Sequence, residues 1–210
     1  MADKYRSFGD LARRETAGKS WRIETIDRRD SNVLVIALHG GRIERGTSEL
    51  AAMIAGDDYS LYCFEGVKRH DNSDLHITSH HFNEPTAPAL AGQSSIVVGI
   101  HGCRGDEAIH VGGLDAALVT LITDALVNAD MPASADRHEF PAIHPHNICN
   151  RSSRRCGARS RLPSIFARRR SDHSSPAKCE WPSRRIRWLS RSRGDLSGRR
   201  RHSAVPRNLR

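Results

Sequence analysis

The chain has 210 residues, 38% of them hydrophobic, which suits one α/β domain or one domain with a tail. Its net charge of +9 averages two unlike parts: residues 1–150 hold 14 Lys and Arg against 21 Asp and Glu, and residues 151–210 hold 19 against 3. Charge therefore argues for a nucleic-acid partner only in the last 60 residues. No segment reaches the ~20 apolar residues of a membrane span. The polar stretch Met1–Asp10 lacks the apolar run of a signal peptide, so no membrane partner and a cytoplasmic location are expected. Five cysteines without a CxxC pair read as free thiols.

In chain order, Phe8, Leu11 and Trp21 suggest a short lead-in helix and strand. Val33–Leu38 is an apolar, β-branched run with the composition of a strand buried on both faces. Gly40 and Gly41 then make a turn, and Thr47 or Ser48 caps a helix carrying Leu50, Met53 and Ile54. Tyr59–Phe64 is a second strand. Leu75 and Ile77 alternate in a short third one, and Phe82–Gly92, with Pro85 and Pro88, begins as a loop. Ile96–Ile100 is a strand, Ala108–Val111 an extended piece, and Leu114–Ala129 a helix. This order predicts an α/β fold with a mostly parallel sheet. Beyond Arg151 no period of two or 3.6 persists.

Two motifs match each other: SNVLVIALHGGRIE over Ser31–Glu44 and SSIVVGIHG over Ser94–Gly102. Each ends a buried strand on His-Gly. A polar side chain there is costly to bury without a partner. His39, Glu44 and His101 have the number and type of ligands of a hydrolytic zinc site, in which an open position holds an acidified water. The alternative is that each histidine hydrogen-bonds a loop carbonyl and binds nothing. His80, His81, His144 and His146 read as solvated loop histidines, and Cys103 as a small buried hydrophobe rather than a nucleophile. His39-Gly40-Gly41 is similar to an esterase oxyanion loop, but the chain has no GxSxG elbow.

HGGRIERGTSELA at 39–51, YCFEG at 62–66, LHITS at 75–79, IHG at 100–102, VGGLD at 111–115 and HNICNR at 146–151 occur in this order. Together they resemble the zinc-dependent poly-γ-glutamate hydrolases of bacteria and phages, often labelled phage-related replication proteins, over roughly residues 3–151. The resemblance implies a zinc-carboxypeptidase-like α/β fold, with a mostly parallel sheet flanked by helices. It also implies Zn2+ as cofactor and hydrolysis of γ-glutamyl amide bonds. By position, His39, Glu44 and His101 would be the metal ligands. His76, Asn150 and Arg151 would bind substrate, the arginine pairing a carboxylate.

Family members continue past CNR with a segment like GVQLEL and a C-terminal helix. The glutamate of that segment resembles the general base of zinc carboxypeptidases. Nothing in residues 152–210 matches it. Residues 155–178 read RCGARSRLPSIFARRRSDHSSPAK. One permitted set of codons for them, read one base later, gives GAVLEVDFPRSSRVAAVITAALR. A frameshift is therefore expected. Residues 1–151 would form a C-terminally incomplete hydrolase-like domain, and 152–210 a disordered basic tail. Zinc binding would persist with severely reduced hydrolysis. The competing readings are a nucleic-acid binder acting through a genuine tail and another amidase of the same fold.

Overall fold

The computed structural model describes residues 3–103, 108–135, 141–155 and 157–163. The run at Val33 becomes β2 (Val33–Gly41), buried from Leu34 to Gly40. Helix α2 (Thr47–Ala55) returns the chain to β3 (Ser60–Gly66), and α3 (Thr86–Gln93) carries it on to β4 (Ile96–Cys103). β2 pairs in parallel with both β3 and β4, as helical crossovers require. β1 (Trp21–Ile26) closes one edge antiparallel to β3. On the other side, β7 (Ala158–Pro163) runs parallel to β4 and antiparallel to β5 (Ile109–Gly113). Helix α4 (Ala116–Val127) links β5 to the short β6 (Ala133–Ser134), which pairs with β5 in parallel. The seven-stranded order is β1-β3-β2-β4-β7-β5-β6, a mostly parallel sheet as expected.

The core packs Leu34, Ile36 and Leu38 of β2 against Tyr62 and Phe64 of β3, with Leu75, Ile77 and Phe82 above them. Helix α1 (Phe8–Ala12) adds Leu11, and Phe8 sits edge-on to Trp21 at 5.2 Å and Phe64 at 6.0 Å. These contacts bind the N-terminal segment to the sheet near the C-terminal ends of β2 and β3. Among the described residues no helix is long and apolar enough to cross a membrane. Cys63, Cys103 and Cys149 are free thiols.

Three expectations differ from the structure. Leu75 and Ile77 are buried, but Asn72–Leu75 forms a 3-10 turn and no strand follows. Their alternation reflects packing under a loop rather than pairing in a sheet. Neither Thr47 nor Ser48 caps α2; the N-cap is Gly46. Thr47 Oγ1 instead donates to the Glu44 carbonyl at 2.7 Å, and Ser48 Oγ accepts from Gly41 N–H at 3.0 Å. The stretch from Phe82 does open in a loop, as expected, and α3 follows from Thr86, its start capped by the Glu84 carboxylate, which accepts from the Thr86 and Ala87 amides. The sheet also does not end at Arg151. Residues 158–163, assigned to the tail, lie between β4 and β5. Two neighbouring strands hold that segment through backbone hydrogen bonds, so no hydrophobic pattern announces it. Residues 164–210, with the expected disordered tail, lie outside the described residues.

The N-terminal anchor is sensitive to acid. Burial pushes the Glu15 carboxyl up, but donation from Ser20, Tyr5 and Lys68 outweighs it and lowers its pKa from 4.5 to about 2. A depressed carboxylate stabilises the fold above its unfolded pKa and ceases to as pH falls through its folded one. Glu15→Gln should flatten the loss of stability between 4.5 and about 2, read as the urea midpoint against pH. An acid limb equal to wild type would remove Glu15 from the account.

Candidate metal centre

The C-terminal ends of β2 and β4 place His39 and His101 side by side, as their matched motifs require. Such strand ends are where open α/β sheets expose ligand sites. β2 carries a bulge between Ala37 and Gly40. Gly41 holds φ at +63°, and a Cβ there would meet the Gly66 carbonyl at 2.6 Å, so the tight exit from the strand needs glycine. The exit swings Glu44 back over the strand end, where its amide donates to the His39 carbonyl at 2.8 Å.

Three donor atoms converge there. His39 Nδ1 is 3.1 Å from Glu44 Oε1 and 3.0 Å from His101 Nδ1. Glu44 Oε2 lies 3.6 Å from His101 Nδ1 and accepts the Gly102 amide at 2.8 Å. Both histidines are 1% exposed. His39 Nε2 lies 2.8 Å from the Ile77 carbonyl, which can only accept. The proton of the neutral ring therefore sits on Nε2, and Nδ1 presents a lone pair to the cluster. A proton on His101 Nδ1 or a cation among the three atoms would relieve the contact between the carboxylate and the His39 lone pair. The set His39, Glu44, His101 fits a metal ion, with ligand atoms all within 4.8 Å of one another. The carbonyl partner of His39 does not exclude this, because a ligating histidine commonly donates its other N–H to such a group. Burial alone would raise the Glu44 carboxyl, but His39 and His101 outweigh it and hold the pKa far below the usual range.

His76 joins the cluster edge. Its ring stacks on His39 at 3.9 Å, and Nε2 is 3.9 Å from Glu44 Oε1. Its Nδ1 donates to Asp3 Oδ1 at 2.7 Å, and Asp3 Oδ2 accepts the Thr78 amide at 2.7 Å. Burial and the neighbouring His39 hold His76 below the usual imidazole range despite Asp3. Asp3 carried no motif and lies 73 residues from His76, so nothing in the sequence pointed to it.

Asn150 and Arg151 are held by backbone carbonyls. Asn150 is buried in a 3-10 turn, where Nδ2 donates to the carbonyls of Ala142 and His144. Arg151 Nε donates to the His146 carbonyl at 3.1 Å. Neither is hydrogen-bonded to the three donors.

Gly102 sets the gap Glu44 fits. A Cβ on it would lie 3.2 Å from Glu44 Cβ. Gly102→Ala should keep the far-ultraviolet circular dichroism and weaken zinc binding about tenfold, the scale of losing one supporting contact. Unchanged affinity would mean that the carboxylate needs no such fit.

The poly-γ-glutamate hydrolase family model matches residues 5–169. UPF0714 protein YndL of Bacillus subtilis (strain 168) is 39% identical over 153 residues, covering 71% of this chain and 60% of YndL. The chain spans between 56% and 63% of the length of the curated relatives it matches. A bacteriophage poly-γ-glutamate hydrolase structure superposes with a TM-score of 0.76 at 32% identity, covering 79% of this chain and 81% of that one. The zinc-free structure of YndL gives 0.75 at 36%, covering 79% and 82%. The matched segment takes in the whole described sheet and all three converging donors, and the chain belongs to the poly-γ-glutamate hydrolase family.

Proposed function

We propose that this protein is a zinc-dependent hydrolase of the γ-glutamyl amide bonds of poly-γ-glutamate, slowed in this form. The observation that carries the proposal is the convergence of His39 Nδ1, Glu44 and His101 Nδ1 at two buried strand ends. Two nitrogens and a carboxylate are a common catalytic zinc set. A divalent ion held by them supplies Lewis acidity towards a carbonyl oxygen and acidifies water.

The chain's own residues do the rest. Ile77 and Gly102 fix the directions of His39 and Glu44. Asp3 fixes His76 with its Nδ1 protonated, leaving Nε2 to accept a hydrogen bond on the cluster side. Arg151 is assigned to a substrate carboxylate. The expected general-base glutamate has no counterpart in β7, which reads ARSRLP and pairs Arg161 opposite His101. That composition departs from the acidic segment the frameshift reading would restore, although the family model matches through residue 169.

The test strips metal with a chelator, reloads one equivalent of zinc, and follows polymer length by size exclusion. Slow shortening of poly-γ-glutamate that requires zinc is expected, with α-linked polyglutamate untouched. Cleavage of peptidoglycan fragments instead would assign another amidase of the same fold. Failure to retain zinc would overturn the proposal.

A further inference from the structure

Histidines that the sequence scatters over two loops meet in space. His80 packs against His81 at 4.1 Å and stacks on His144 at 4.5 Å, and His144 lies 5.5 Å from His146. Arg151, fastened to the His146 carbonyl, extends the row. The loop that carries His80 also borders the metal centre. His80 follows, three residues on, the Ile77 carbonyl that orients His39, and Asp3, which holds His76, also acts on His80.

We propose that His80, His81, His144, His146 and Arg151 form a binding face for the successive carboxylates of a polyanionic chain entering the metal centre. The inference rests on the γ-glutamyl polymer reading, since a γ-linked chain leaves one free carboxylate on every residue.

The chemistry favours anions over a second metal. His144 Nδ1 accepts the His146 amide at 3.1 Å, so the neutral ring carries its proton on Nε2 as a donor. The metal centre shows the reverse at His39, whose Nδ1 lone pair is turned inward. Among the described residues, none of the four rings is ion-paired to a carboxylate, and Asp3 is already bonded to His76 and Thr78. The loop that carries His144 is fixed: Asn150 Nδ2 holds two of its carbonyls, and Asn147 N–H bonds the His144 carbonyl at 2.9 Å. Burial, then His81 and His144, keep the His80 ring below the usual imidazole range, with His146 acting the same way and Asp3 opposing. A bound carboxylate would relieve that mutual repulsion.

The test uses the zinc-loaded full chain and a fluorescein-labelled ten-residue γ-glutamyl oligomer, with anisotropy read before cleavage. The variants are His144→Asn, which keeps an acceptor for the His146 amide, and the double variant with His80→Asn. Each lost ring should weaken binding about threefold at low salt, the scale of one hydrogen bond. The difference should shrink in high salt, with zinc stoichiometry unchanged. Wild-type binding that neither variant alters would overturn the face and leave the polymer reading standing. So would a loss equal at low and high salt, which marks a structural role. A zinc-loaded wild type that does not bind the oligomer would overturn both.

Discussion

Glu44→Gln is expected to leave the protein folded and lower its zinc affinity by at least about a hundredfold, beyond the ~10–100-fold typical of losing an outer-shell partner. Glutamine keeps the volume, and its carbonyl oxygen can still accept the Gly102 amide, so the substitution isolates charge from shape. Glu44 is the one anion in the cluster, and His39 and His101 hold its carboxyl well below the usual range. Titration against a chromophoric chelator reads the affinity. Affinity within fivefold of wild type would remove Glu44 from the ligand set.

Replacing residues 155–178 with the reading of the neighbouring frame should raise γ-glutamyl hydrolysis by about 10²–10⁴-fold, the usual contribution of a positioned general base. The restored stretch would place Leu-Glu in the segment that forms β7. That strand lies beside β4, with Arg161 opposite His101 and Leu162 opposite Gly102, and carries no acidic residue. A further helix would also find apolar surface, because Leu121 and Val127 of α4 are 47% and 52% exposed. The melting temperature should rise with the rate, while zinc stoichiometry stays at one. A nucleotide read across codons 147–182 is the quickest check on the frame itself. If the chain as it stands already hydrolyses poly-γ-glutamate like an intact homologue, the frameshift account fails.

The strands and helices that formed as expected are those whose burial shows in one dimension. Val33–Leu38 and Ile96–Ile100 are apolar runs that a two-sided sheet demands, and Leu118, Val119 and Ile122 mark the inner side of α4. Segments held by hydrogen bonds rather than by hydrophobic burial were not legible. β7 owes its place to two neighbouring strands, and the Leu75–Ile77 alternation mimicked a strand where the chain only turns.

The candidate site divides in the same way. His39, Glu44 and His101 could be chosen from the sequence because each strand run ends on His-Gly and an acid follows five residues after the first histidine. The proton position on His39, set by the Ile77 carbonyl, could not be. Nor could the attachment of His76 to Asp3, or the meeting of His80 with His144. By itself the sequence determined the α/β class, the mostly parallel sheet and the three converging donors, because local composition dictates which strands are buried and what ends them. Tertiary structure alone decided which lone pairs face the centre and which histidines share a surface. Those depend on contacts between residues as many as 73 positions apart, which no local pattern encodes.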